Sequence, residues 1–210
     1  MPVTPPNQLF PPNRSGGKGV LDALAARKTT REIAQTPLPA QLLSDLLWAA
    51  NGVNRDAGPF SGAGRTAASA GNSQEIELYL STAAGSSLYE PSEHRLHKVE
   101  ERDVRGLGLT PGQRSAEGWA PLQLILVADM AKLSHGARTR EPGPHDSETQ
   151  TAYAYFDGGL VAGNLWLFAA AYGLGIWVHN CDKDALSQAL KLRPDQRILF
   201  VASIGYPLNP

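Results

Sequence analysis

The segment that most restricts this chain is Tyr155–Gly175, "YFDGGLVAGNLWLFAAAYGLG". It predicts a helix over about 158–172, with Asp157 as its cap and Gly173 and Gly175 as its end. Apolar residues lie nearly all round it, so such a helix must be covered on every side. A chain of 210 residues offers one core to cover it with. The excess apolar face therefore points to a second subunit.

Other segments set the framework. Residues 1–18 carry five prolines and read as an extended arm before a single domain over 19–210. "GVLDALAA", from Gly19 to about Ala26, reads as the first helix. "AQLLSDLLWAANG" spaces Leu42, Leu43, Leu46, Leu47 and Ala50 as a helix does, with Gly52 as a stop. Residues 52–65 read as a Gly-rich loop. Glu75–Leu80 alternates like a half-buried strand, and "SSLYEPSEHRLHKV" reads as a strand end and a turn. Residues 93–118 are polar and read as partly helical. "APLQLILVAD" reads as a buried strand and 134–150 as a long polar loop. "IWVHN", a helix over Lys183–Leu190 and the strand "RILFVASIGYP" close the chain. This order predicts an α+β sandwich, with a mixed or antiparallel central sheet flanked by helices.

Composition excludes several classes. There are 19 basic and 20 acidic residues, so no overall field attracts nucleic acid or an anionic membrane. Cys181 is the one cysteine, so no intrachain disulfide forms. No run of eighteen apolar residues is present, which argues against a spanning helix. The N-terminus has no apolar stretch of the signal-peptide kind, so the cytoplasm is the expected compartment. A processed chain restarted at Met1 would look the same. The five histidines are scattered, and only His94 and His97 are spaced to share a helix face, so no metal site is expected.

Three stretches carry chemistry. In "ARKTTREI", Arg27, Lys28 and Arg31 surround Thr29 and Thr30. Guanidinium forks with hydroxyls suit a phosphate monoester, though a solvated basic turn would have the same composition. In "AASAGNSQ", the small residues from Ala67 to Gly71 permit close approach to the backbone, and Asn72 and Gln74 can bond along the edge of a flat group. An ordinary Asx-type turn reads the same way. In "GLGIWVHNCDKDAL", Trp177, His179, Asn180 and Cys181 cluster after the long helix. Cys181 has no orienting acid nearby in sequence, which argues against nucleophilic catalysis.

Together these stretches resemble the nitroreductase family of FMN-dependent flavoproteins, over about residues 19–207. "RKTTR" matches the family's basic, hydroxyl-containing segment, with Thr29 in place of its usual serine. "AASAGNSQ" matches its A-P-S-x-x-N-x-Q element at Ala67, Ser69, Asn72 and Gln74, with Ala68 where proline is usual. "NLWLFAAAYGLG" matches the buried helix ending in A-x-G-L-G, and Gly205–Pro207 the closing G-x-P. The sequence is also similar to the branch containing thiazoline- and oxazoline-oxidising dehydrogenases of peptides. The lysine–tyrosine pair of those enzymes is not visible, so azoline oxidation is not assigned.

The resemblance implies a homodimer whose subunits share each FMN. Arg27, Lys28 and Thr29 would hold the phosphate, with Arg31 near the pyrimidine edge of the ring, where a cation favours the reduced anion. Ser69, Ala70 and Asn72 would meet the partner's flavin, with Gln74 in support. His179, Asn180 and Cys181 would run past the ring, where a backbone N–H could reach N5. Many relatives have basic residues after the G-x-P, and "GYPLNP" has none. The implied activity is ping-pong hydride transfer from NAD(P)H through the flavin to an acceptor such as a nitroaromatic or quinone, with no catalytic side chain beyond the flavin. The alternatives are dehydrogenation of a peptide heterocycle, or flavin binding with little turnover. No nucleic-acid or membrane partner is implied.

Overall fold

The computed structural model describes residues 7–58, 62–113, 119–135 and 146–209. Helix α1 spans Val20–Ala26 and α2 spans Ala40–Asn51. In α2 the predicted periodicity holds: Leu43, Leu46, Leu47 and Ala50 are buried on one face. Gly52 follows its last turn, where a Cβ would collide with the side chain and backbone of Trp48.

The predicted loop over 52–65 contains a short antiparallel ribbon, β1 (Val53–Arg55) against β2 (Gly64–Arg65). Six further strands form one sheet: β3 (Ile76–Thr82), β4 (Gly85–Glu90), β5 (Arg95–Glu100), β6 (Leu122–Asp129), β7 (Gly175–His179) and β8 (Gln196–Gly205). Their order is β5-β4-β3-β6-β8-β7. All five pairings are antiparallel, which settles the choice between a mixed and an antiparallel sheet.

Strand β6 is buried at all eight positions because both sheet faces are covered. Leu122, Leu124 and Leu126 face a core shared with α2 and the long helix α4 (Ser147–Tyr172). Ile125 and Val127 face a second core with Leu186 of α5 (Lys183–Ala189).

Three expectations need correction. Residues 93–118 hold no α-helix among those described. "RLHKVE" is β5, an edge strand paired with β4, and its exposed side tolerates the polar residues that suggested a helix. Single helical turns follow at Arg105–Gly108 and Pro111–Gln113. His94 sits in the β4–β5 turn at φ 48° and His97 lies on β5, so they share no helix face.

Both ends of the expected 134–150 loop are helical. Helix α3 spans Met130–His135 and α4 begins at Ser147, while 136–145 lie outside the described residues.

Finally, Asp157 does not cap α4. That helix runs over Ser147–Tyr172, and Asp146 is its cap, accepting from the Thr149 N–H at 2.7 Å. The first turns are polar and exposed, so hydrophobicity alone placed the start too late. Gly173 ends it in the left-handed conformation, φ 70°.

The N-terminal arm is docked from Asn7 onward. Leu9 is buried, the Leu96 N–H donates to Asn7 O at 2.8 Å, and the Asn13 N–H donates to Asp45 Oδ1 at 2.8 Å.

Candidate active site

After α1 the chain turns at Arg27 into an extended run along the β7–β8 edge. The Thr30 N–H donates to Ile176 O at 2.9 Å and the Ala34 N–H to Tyr206 O at 2.8 Å, and Ile33 bridges to Pro207. Two glycines permit this seat. A Cβ on Gly175 would lie 2.9 Å from Thr30 Cγ2, and one on Gly205 would lie 2.7 Å from Ile33 Cγ2. Arg27, Lys28, Thr29 and Arg31 are exposed. None of the three cations forms an ion pair among the described residues. The Arg31 guanidinium lies 5.7 Å from the Trp177 ring centroid.

A cavity of about 940 Å³ adjoins this segment, lined among others by Arg31, Ile33, Gln113, Trp119, Trp177 and Ser203. His179 stands just behind, its ring 4.3 Å from that of Trp177. Its Nδ1 lies 2.8 Å from Asn180 O, which can only accept, so Nδ1 carries the proton. Nε2 then accepts from Ser203 Oγ at 2.9 Å. Burial lowers the His179 pKa, partly offset by the Asn180 carbonyl, which favours the neutral ring. Ser203 also accepts from Gln123 Nε2 at 3.4 Å, while the buried Gln123 Oε1 has no partner among the described residues.

The Cys181 side chain turns the other way, into the core with Ile125 and Leu186. Burial pushes its thiol up to about 11, so it is not a thiolate at neutral pH. Only its backbone remains for the cavity side. Asn180 is exposed.

The Ser69–Gln74 stretch does not line this cavity. It forms a tight turn ahead of β3. Gly71, Asn72 and Gln74 all have positive φ, at 56°, 55° and 55°. Backbone of that kind is uncommon outside glycine and needs support. Ser69 Oγ accepts from the Gln74 N–H at 2.9 Å, and Gln74 Nε2 donates to Ala63 O at 2.7 Å and Asn72 Oδ1 at 3.0 Å. The Ala70 N–H donates to Asp157 Oδ2 at 2.8 Å. One chain therefore brings Arg31, Trp177 and His179 together and holds Ser69, Ala70, Asn72 and Gln74 at a second location.

Sequence reading missed Gln113, Trp119, Gln123 and Ser203. The lone hydroxyl of Ser203 in the apolar strand "ILFVASIG" was a usable signal. Gln113 comes from a single helical turn and Trp119 from irregular backbone, and neither has a periodicity to mark it.

The comparisons agree with this architecture. The sequence pattern of the nitroreductase family matches residues 24–206. A crystal structure of a nitroreductase-type protein from Ralstonia eutropha JMP134 superposes with a TM-score of 0.80 at 31% identity, covering 97% of this chain and 90% of that one. A nitroreductase-type protein of Methanocaldococcus jannaschii is 29% identical over 161 residues, 73% of this chain and 74% of its own. The NADPH:FMN oxidoreductase of Vibrio harveyi, solved with NAD+, shares the fold at a TM-score of 0.62 and 16% identity, covering 90% of this chain and 69% of that one. The chain belongs to the nitroreductase family and has its α+β fold, which places it among oxidoreductases.

Proposed function

We propose that the protein is an FMN-dependent oxidoreductase that works as a homodimer and takes electrons from NAD(P)H. The observation that carries this reading is the basic segment Arg27–Arg31, whose cations form no ion pair among the described residues, seated beside a cavity walled by two indoles. The residues present fit the cofactor. Arg27, Lys28 and Thr29 suit its phosphate, Arg31 and Trp177 offer charge and a flat face, and the unpartnered Gln123 Oε1 leaves an acceptor behind Ser203. The Vibrio harveyi relative, by its name, uses FMN and NADPH.

Bound flavin would supply two-electron chemistry, accepting a hydride from the nicotinamide and passing the electron pair to an acceptor. This chain's residues would bind and orient. Arg31 would stabilise negative charge beside the ring, and neutral His179 would fix Ser203 without itself transferring a proton. Cys181, held as a thiol, takes no part.

The second subunit enters because apolar surface is left over. Leu21 is 79% exposed and Phe156 64%, and Val20, Leu24, Tyr153 and Tyr155 are exposed with them on α1 and α4. Exposed apolar residues on two helices suit an association surface. In the dimer, Ser69, Ala70, Asn72 and Gln74 of one subunit would complete the flavin site of the other.

The test is the absorbance spectrum of purified protein before and after anaerobic NAD(P)H, and again after a quinone or nitroaromatic. Bleaching followed by reoxidation supports the reading. A flavin that NAD(P)H leaves oxidised would favour a binding role. Arg27→Ala should weaken FMN binding by about one to two decades, the value of one charge-assisted hydrogen bond.

A further inference from the structure

Directly beneath the Ser69–Gln74 turn lie two carboxyl groups for which the proposed chemistry gives no role. Glu75 is 0% exposed and Asp157 1%. The turn hangs on them from both sides. Asp157 Oδ2 accepts the Ala70 N–H at 2.8 Å, and Ser73 Oγ donates to Glu75 Oε2 at 2.6 Å. The two carboxyls are within hydrogen-bonding reach of each other, yet Glu75 Oε1 has no donor among the described residues.

Among the described residues, no cation from the surrounding elements bears on the pair. On β3 and α3, Glu77 and Lys132 are bonded to each other at 2.6 Å. Arg193 is committed to Asp129 at 2.7 Å, with Lys132 3.7 Å from the same carboxylate. On β2, Arg65 bears on Tyr89 and Glu90. On α2, Asp45 is held by Asn13 and Gln41. Two buried carboxylates in contact, with no counter-ion, cannot both ionise at low cost.

We infer that Glu75 and Asp157 hold one proton between them and act as the positioning pair for the Ser69–Gln74 turn, so that losing this proton loosens the turn. With the proton on Glu75, its Oε1 can serve as a donor toward Asp157 and is no longer an unpaired acceptor. It also leaves Asp157 the charged partner, which strengthens its bond from Ala70. Ionising both groups places two negative charges under a turn whose Asn72 and Gln74 already occupy left-handed backbone. Burial is the largest cause that raises the Glu75 pKa, with Asp157 adding to it and Ser73 opposing, and the result is about 8. Burial raises Asp157 as well. The turn should therefore be ordered at neutral pH and released above about pH 8. Through the flavin contact proposed for this turn, and resting on that reading, the same proton would govern cofactor affinity.

The experiment has two arms. In apo-protein, hydrogen exchange of residues 70–74 is followed against pH, with Glu75→Gln and Asp157→Asn as references. Each substitution supplies a neutral amide that mimics the singly protonated pair. Infrared spectra report the protonated carboxyl directly. The expected result is a protonated buried carboxyl at pH 7, absent in Glu75→Gln. Protection of 70–74 should fall above about pH 8 in wild type and persist in both variants. In the second arm FMN is titrated, and wild-type affinity should fall by up to about tenfold per pH unit above about 8, while the variants show no such loss. If wild type and both variants exchange alike across the range, or no protonated carboxyl exists at pH 7, the pair has no such role. If FMN never binds while the apo-protein behaves as expected, the flavin reading fails and the positioning pair stands. If either variant does not fold, the other carries the comparison.

Discussion

Gly175→Ala separates site geometry from fold stability. Gly175 starts β7 beneath Thr30, and its φ is not positive, so alanine suits its backbone. The added Cβ would lie 2.9 Å from Thr30 Cγ2 and 3.1 Å from Thr30 Cβ. Carbon atoms rest about 3.5–4.0 Å apart, so the Thr30 segment must lift by roughly 0.6 Å or more. The Thr30 N–H bond to Ile176 O, now 2.9 Å, would stretch toward its limit. Losing it costs about 0.5–1.5 kcal/mol. The lower entropy of the unfolded alanine chain offsets about 0.4–1 kcal/mol. Net stability should change by less than about 1 kcal/mol. Arg31 is the next residue, and Arg27 lies three residues before Thr30, so the groups proposed to hold the phosphate move with the segment. Forfeiting one charge-assisted bond is worth about 1.5–3 kcal/mol, or one to two decades in FMN affinity. Urea unfolding of apo-protein and flavin-fluorescence titration measure the two effects. Wild-type affinity in Gly175→Ala, with unchanged unfolding, would show that the seat on β7 does not position the cofactor residues.

Phe156→Asp places a charge at a 64%-exposed apolar position on α4 and should yield monomers by sedimentation, with the fold retained. Cys181 should resist iodoacetamide at pH 8 until the protein unfolds, because its thiol is raised to about 11 and buried. Since the folded pKa of Glu75 is raised, its contribution to stability is full below about pH 4.5 and is lost as pH rises to about 8. Thermal melts of apo wild type should therefore fall relative to Glu75→Gln across that window. Gly71→Trp and Arg27→Ala should each lose FMN, and mixed dimers of the two should recover one site in two. No recovery would place both segments in the same subunit's site.

Much of the frame was legible because burial imposes a period. The helical spacing of "LLSDLLWAA" and the unbroken run "LQLILVAD" each have one reading in a two-faced sheet packed by helices. The β4–β5 hairpin was not legible, because an edge strand such as "RLHKVE" needs only one apolar side and Leu96 alone supplies its buried residue. At the site, the basic and small-residue segments stood out by composition. Asp157 was misread because an acid before a glycine pair resembles a cap, whereas its partner is Ala70, 87 positions away. Glu75 was read as the first residue of a strand, and nothing local reveals that its carboxyl is buried. Trp119 lies beside the cavity through tertiary packing alone.

The composite site we propose accounts for the distance between the two chemical halves of one chain. A segment rich in small residues normally weakens packing, and positive φ at Asn72 and Gln74 adds strain, yet this turn is braced by Ser69, Gln74, Glu75 and Asp157. Bracing of this extent is hard to explain for an ordinary surface turn. It follows if the turn must present a fixed backbone to a rigid flat group outside its own subunit. Asp157 lies on the same helix as Phe156, whose ring is exposed, so the support of the turn and the surplus apolar surface share one element. Burying that surface against a partner would carry the turn toward the partner's basic segment. Assembly and cofactor binding would then be coupled through α4, and a variant that only weakens the dimer, such as Phe156→Asp, should lose flavin although none of its substituted atoms touches the cavity.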